Sequence, residues 1–301
     1  MSATVNNERW LVTGATGQLG GHALFELRGM TDAPVLAMSR RAIPDNVRES
    51  LNVDAAVIDL ADISSLTATI RAFRPTNVLH FGAMTAVSEA YAKPELANAV
   101  NVEASIAIAK IAEELESRMV FASTDMVFDG ESAPYAEDAA TKPLSNYGRS
   151  KAKAEESLVE FDHVAVARFP LMFGLPMIER ASTCANQIQA LRNSTPLNLF
   201  TDEYRTPLWL RDAATVSIAL SRTSESGIFH FPGPARLSRL EIVEQFAEAL
   251  GITTGQLNPI SRLDIDSPEP RAKDLSLASE RMDKVKIEPK PICAVTLSVE
   301  L

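Results

Sequence analysis

Three glycines at a spacing of three, Gly14, Gly17 and Gly20, stand between a short apolar run and the start of a helical pattern. The run is Trp10-Leu11-Val12, and the pattern carries Leu24 and Leu27. A strand that becomes a helix through such a loop leaves few folds open. Glycine allows a tight turn and close backbone approach, and the first turn of the helix offers unpaired N–H groups to a diphosphate. The loop is therefore expected to seat a dinucleotide on Gly14, Thr16, Gly17, Gln18, Leu19 and Gly20.

The rest of the first 170 residues supports that reading. Short apolar runs recur at Val35–Met38, Ala56–Ile58, Asn77–Phe81, Met119–Ala122 and Val164–Ala167. Helical stretches fall between them, as at Leu96 to Leu115 and Tyr147 to Leu158. Strands that are apolar throughout and alternate with helices predict a parallel sheet covered on both faces, a doubly wound α/β fold of Rossmann type. Beyond about residue 170 the alternation loosens. Helices are expected over Thr183 to Arg192, Arg211 to Leu220 and Ser238 to Leu250, the last opened by a capping box, with a strand at Gly227 to Phe231. The stretch 259–274, rich in proline and charge, is expected to run over the surface. The division predicted is a dinucleotide-binding domain over 1–170 with returning segments near 208–232, and a smaller substrate lobe from 171–207 and 233–301.

Composition removes several classes of function. A formal charge of −10 disfavours binding to nucleic-acid backbones. No stretch reaches the ~20 apolar residues that cross a bilayer, and MSATVNNERW has neither the cationic nor the apolar part of a secretory leader. A cytoplasmic location is expected. Cys184 and Cys293 stand far apart, and His22, His80, His163 and His230 are scattered, so no metal site is predicted. Cys184 is read as buried and inert.

Cofactor choice turns on the end of the second strand, where a carboxylate would hold the ribose 2′-hydroxyl of NAD and arginine suits a 2′-phosphate. Here Ser39-Arg40-Arg41 follows Met38, so NADPH is favoured over NADH. Asp59 and Leu60, after the third strand, are placed at the adenine.

Three segments together resemble the extended short-chain dehydrogenase/reductase family: Thr13-Gly14-Ala15-Thr16-Gly17-Gln18-Leu19-Gly20, Ser123-Thr124-Asp125-Met126-Val127-Phe128-Asp129-Gly130 and Tyr147-Gly148-Arg149-Ser150-Lys151. Within it, Gly17 to Gly20, the Ser123 to Gly130 run, the Asp202 to Pro207 segment and Lys273-Asp274-Leu275-Ser276-Leu277 resemble the dTDP-4-dehydrorhamnose reductase branch. Tyr147 and Lys151, four apart on a helix, share a face, and a neighbouring ammonium is expected to lower the phenol below its ordinary pKa near 10. Tyr147 would then protonate a carbonyl oxygen positioned by Thr124. The resemblance implies that Lys151 also holds the nicotinamide ribose and that Asn101 supports a water-linked proton path. It places Phe81, Gly82, Ala83 and Phe169 beside the cofactor, and Thr85, Asp125 and Met126 beside the substrate. Arg205 and Arg211 are candidates for a diphosphate grip or for surface ion pairs with Asp202, Glu203 or Asp212. Trp209 would stack on a base or fill the lobe interface.

Two departures refine the implied reaction. Dehydratases of the family carry Glu where Met126 stands, and a thioether cannot act as a base, so dehydration is disfavoured. Rhamnose-type reductases usually carry Tyr there, which leaves the sugar open. The implied function is NADPH-dependent reduction of a keto-sugar nucleotide, with a homodimer possible in this branch. The alternatives are a non-catalytic, NADP-binding regulatory subunit like that of methionine adenosyltransferase, and a sugar-nucleotide epimerase.

Overall fold

The computed structural model describes residues 8–252 and 257–295. Seven strands form one parallel sheet: Trp10–Thr13 (β1), Val35–Ser39 (β2), Asp54–Val57 (β3), Asn77–His80 (β4), Arg118–Thr124 (β5), Val164–Phe169 (β6) and Gly227–His230 (β7). Their order across the sheet is β7-β6-β5-β4-β1-β2-β3. The chain reverses direction across the sheet between β1 and β4, and in such sheets a crevice opens there beyond the carboxyl ends of the strands. Gly14 leaves β1 and Gly82 follows β4 at that point.

Both faces are covered, as the apolar runs require. Trp10 and Val12 of β1 point to one face, where they meet Leu19, Leu24 and Leu27 of helix α1 (Gln18–Met30). Leu11 points to the other, towards Leu66 and Ile70 of α2 (Ile63–Phe73), Ile108 and Ala112 of α3 (Ala104–Glu114) and Leu158 of α4 (Asn146–Leu158). A third cluster, with Phe173, Cys184, Ile188, Leu199, Val243 and Phe246, joins α5 (Thr183–Arg192) to α7 (Arg239–Leu250). Between these two helices, α6 (Leu210–Ser221) returns to pack in the first cluster, and β7 pairs with β6. Ser238 and Glu241 cap α7 reciprocally as expected, at 3.1 and 2.6 Å. No described helix is long and apolar enough to cross a membrane.

Three expectations change. The third strand is not apolar throughout: it spans Asp54–Val57 at the sheet edge, with Asp54, Ala55 and Val57 exposed. An edge strand has a partner on one side only, so its burial demand is weaker. The helix expected from Leu96 to Leu115 is interrupted by a π-helical turn at Ala99–Glu103, after a short helix that starts on Pro94. The 259–274 stretch is not merely superficial. Leu257–Ile260 pairs with Leu197–Phe200, and the buried Glu269 carboxylate accepts from the Asn146 backbone N–H at 2.6 Å. That contact caps the helix that carries Tyr147.

Candidate active site

At the glycine loop, Gly14 has φ +66°, a conformation that L side chains rarely adopt, and a Cβ there would lie 2.7 Å from the Gly82 nitrogen. The Gly82 N–H donates to Thr13 Oγ1 at 3.0 Å, locking the ends of β1 and β4 together. The Ala15 N–H donates to the Met38 carbonyl at 3.1 Å, drawing the loop against the end of β2. No side chain caps the N-terminus of α1 at Gly17, and its first turn contains no acidic residue. An uncapped, uncharged helix start beside a close-packed glycine loop fits the diphosphate of a dinucleotide.

Around this seat, Ser39 is buried and its hydroxyl donates to the Arg41 carbonyl at 2.6 Å. The Arg40 and Arg41 side chains are exposed, as is Asp59, whose carboxylate accepts from the Ala61 N–H. Leu60 reaches over Gly82, so that a Cβ there would be 2.6 Å from its methyl group. Phe81 is half-buried against the core, Ala83 is half-buried, and Thr85 is exposed on the same loop. The Phe169 ring turns into the core and stacks on Phe231 at 5.7 Å, so it reaches any ligand by its backbone alone.

Thr124 ends β5 and caps the following turn, accepting from the Met126 N–H at 3.2 Å. Tyr147 lies in the first turn of α4, whose N-cap Ser145 accepts from the Gly148 N–H at 3.1 Å. Gly148 presses on the Met126 carbonyl so closely that a Cβ there would collide with it. That contact brings Tyr147 to Thr124. One turn on, Lys151 is buried with its Nζ 3.7 Å from the centre of the Phe121 ring.

The electrostatics correct one expectation. The Tyr147 phenol is raised above its ordinary value, by burial first and then by the charge of Asp125, while a hydrogen bond with Thr124 opposes the shift. Lys151 does not lower it. Burial pushes the Lys151 ammonium itself down to about 7, against the opposing pull of Glu155. The phenol therefore keeps its proton at neutral pH. Asp125 is held up at about 6, by burial first, with the charge of Arg205 opposing. Arg205 Nε lies 3.5 Å from Asp125 Oδ2, and its guanidinium is also engaged by Glu203 and the Tyr204 carbonyl.

Asn101 also changes character. Its side-chain oxygen accepts from the Met84 N–H at 2.8 Å, and its amide donates to the Met84 carbonyl at 3.1 Å and Ser150 Oγ at 2.9 Å. Both amide N–H groups and one lone pair of its oxygen go to protein partners, so it clamps the 81–86 loop to α4. Arg211 is not brought to Asp125: it pairs with Glu26 of α1 at 2.6 Å, about half exposed. Trp209 is part-buried against the third cluster. Cys184 is buried with its thiol pushed up to about 11, which leaves it unreactive.

Sequence reasoning missed two histidines behind the site. His80 is fully buried, with Nδ1 2.6 Å from Thr13 Oγ1 and Nε2 2.9 Å from Ser105 Oγ. His230 lies 3.1 Å from the Arg168 guanidinium. Burial first, then a nearby cation, lowers His80 to about 3 and His230 to about 4. Both sit below the 6.5 of a free histidine, so on acidification the unfolded chain takes up two protons that the folded chain refuses. Their contribution is complete above about pH 7 and is lost as the pH falls through 6.5 towards the folded values. Asp125 acts in the opposite sense between about pH 4 and 6, because its folded form holds the proton more tightly than the unfolded chain. The His22 imidazole, also lowered by burial first, adds in the same sense as the other two, so the net difference is at least about one proton. Unfolding free energy from urea titrations is expected to fall by at least about 1.4 kcal/mol per pH unit between about pH 6 and 4.5. A flat profile there would show that the imidazoles are not held neutral.

The RmlD substrate binding domain family matches residues 8–293. The chain belongs to that family. Methionine adenosyltransferase 2 subunit beta of Xenopus laevis is 31% identical over 295 residues, covering 94% of this chain and 84% of its own. A dTDP-4-keto-6-deoxy-D-glucose reductase of Streptomyces niveus is 30% identical over 256 residues, covering 84% of this chain and 82% of its own. Among solved structures, a dTDP-4-dehydrorhamnose reductase of Bacillus anthracis in complex with NADP is similar with a TM-score of 0.83, over 95% of this chain and 96% of its own. Its identity is 20%, a likeness of fold. The chain is thus similar to both kinds of protein that the sequence motifs resemble.

Proposed function

We propose that the protein is an NADPH-dependent reductase of a keto-sugar nucleotide, of the short-chain dehydrogenase/reductase type, with Tyr147 as the proton donor. The observation that carries this reading is a half-buried tyrosine whose phenol retains its proton beside the strand-end hydroxyl of Thr124, next to an uncapped glycine loop. A carbonyl becomes an alcohol by gaining hydride at carbon and a proton at oxygen, and the bound nicotinamide would supply the hydride.

The chain's own residues supply the rest. Thr124 Oγ1 holds the carbonyl oxygen, and Tyr147 delivers the proton as negative charge develops there. Lys151, one turn on, would hold the nicotinamide ribose rather than shift the phenol. Asn101 keeps the 81–86 loop and α4 at fixed separation, and Ser150 Oγ, which donates to the Tyr147 carbonyl at 2.7 Å, passes that constraint to the catalytic turn. Met126 offers no base, consistent with reduction rather than dehydration. Gln18, Leu19 and Gly20 face the diphosphate with backbone N–H groups, and Arg40 and Arg41 face the 2′-phosphate.

Arg40→Ala is expected to weaken NADPH binding by about tenfold or more, the effect of losing one charge-assisted hydrogen bond, with NADH little affected. Titration of intrinsic fluorescence measures both, and equal weakening would contradict the 2′-phosphate assignment.

The 31% identity to a subunit of methionine adenosyltransferase favours a second reading, a non-catalytic dinucleotide-binding subunit. Mixing the protein with NADPH and a panel of 4-keto-sugar nucleotides, while following nicotinamide absorbance, separates the two. Oxidation with any of them supports the reductase. NADPH binding without oxidation, together with a co-purifying adenosyltransferase, supports the subunit.

A further inference from the structure

The segment from Gly174 to Ser182 leaves the sheet after β6 and lies across the start of α1. Ile178 and Met177 approach Gly21, where a Cβ would stand 3.7 Å from either, and His22 Nε2 is 2.9 Å from the Leu175 carbonyl. The strap ends on Arg180, directly over the glycine loop. Arg180 Nη1 donates to the Thr16 carbonyl at 3.1 Å and lies 3.4 Å from the position of a Cβ on Gly17. Its Nε is buried and has no hydrogen-bond partner.

The surroundings of this guanidinium are unusual for a structural arginine. Burial and then the positive charge of Arg41 hold it below its ordinary value, and no carboxylate acts on it. Among the described residues, Arg40, Arg41 and Arg180 form no ion pair, although most other arginines near a carboxylate do. Two guanidiniums that repel each other, one of them partly desolvated with an idle N–H, leave an unmet demand for an anion. Position narrows which one. Thr16 precedes the helix N-terminus and lies where the Ala15 N–H ties the loop to the end of β2. Arg180 therefore stands over the Thr16–Gly17 part of the loop, close enough to the end of β2 for the charge of Arg41 to act on it.

We infer that Arg180 is a specificity-determining residue that closes over the cofactor's ribose 2′-phosphate, with Arg41 on the opposite side. The assignment rests on NADPH being the bound dinucleotide. The strap then does two things: it covers the glycine loop, and it supplies a cation that only a 2′-phosphorylated dinucleotide engages fully. Neither follows from a sequence motif, because Arg180 lies 164 residues from its contact at Thr16.

The test is equilibrium binding of NADPH and NADH to the full chain, wild type, Arg180→Ala and Arg180→Lys, followed by fluorescence or calorimetry. Thermal midpoints of the unliganded proteins are recorded alongside. Arg180→Ala is expected to raise the NADPH dissociation constant about tenfold or more and the NADH constant by less than about twofold. Arg180→Lys, which keeps the charge and loses the fork, should fall between. If both dinucleotides weaken equally, Arg180 serves the diphosphate or merely pins the strap, and the assignment is overturned. If NADPH binding is unchanged in both variants, it is overturned as well. A wild-type protein that shows no preference for NADPH would overturn the cofactor reading beneath it. A preference that survives in both variants would overturn only the role of Arg180.

Discussion

Replacing Tyr147 by phenylalanine is expected to lower turnover at least about 100-fold while leaving NADPH affinity largely intact. Loss of a positioned general acid typically costs 10²–10⁴ in rate. The ring of Tyr147 packs with Met84, Ala90 and Ala97, and phenylalanine keeps that packing. The lost atom is the hydroxyl that Thr124 hydrogen-bonds and that burial keeps protonated. Steady-state oxidation of NADPH measures turnover, and fluorescence titration measures cofactor binding. If the variant retains wild-type turnover, the proton comes from elsewhere and Tyr147 loses its role. If cofactor binding collapses with it, the effect is structural.

The second large effect lies behind the site. Arg168 on β6 and Glu155 on α4 form a fully buried pair, with Nη2 2.7 Å from Oε2 and Nε 3.1 Å from both carboxylate oxygens. Nη1 of Arg168 turns to His230 and the Glu137 carbonyl. The pair ties the helix that carries Tyr147 and Lys151 to β6, next to the edge strand β7. Glu155→Gln leaves Arg168 buried without its counter-charge, and breaking such pairs costs about 3–5 kcal/mol. Against a typical total of about 5–15 kcal/mol, that is a large fraction. Urea unfolding is expected to show the loss as a lower midpoint with little change in slope. The paired replacement Glu155→Leu with Arg168→Met removes both charges together and is expected to recover much of it. A change below about 1 kcal/mol in Glu155→Gln would mean that the arginine finds another partner or water.

How much of this was legible in the chain depends on sequence distance. The glycine loop was, because a strand, a turn and a helix follow one another and each leaves its own periodicity. The positions of Thr124 at a strand end and of Tyr147 and Lys151 one turn apart on a helix were, because both features are local. The direction of the Tyr147 shift was not. It is set by burial and by Asp125, and the charges around Asp125 come from Glu203, Arg205 and Arg239, placed there only by folding. Arg211 illustrates the reverse error: an arginine in a plausible segment, claimed by Glu26 on a distant helix. Glu269 lies 123 residues from the Asn146 N–H that it caps, in a stretch whose proline and charge content predicted only surface. The edge strand Asp54–Val57 was found by its run of small apolar residues, yet such a run says little about which side of a strand is paired.

In the proposed reaction NADPH gives its hydride to a sugar carbonyl and Tyr147 completes the reduction. Its most direct test uses NADPH deuterated at the transferring C4 position with a 4-keto-sugar nucleotide, and mass analysis of the recovered sugar. We expect a single deuterium at the former carbonyl carbon with the wild-type protein and essentially no labelled product with Tyr147→Phe over the same interval. Unlabelled sugar from the wild type, across the panel of 4-keto substrates and with NADPH demonstrably bound, would contradict the account.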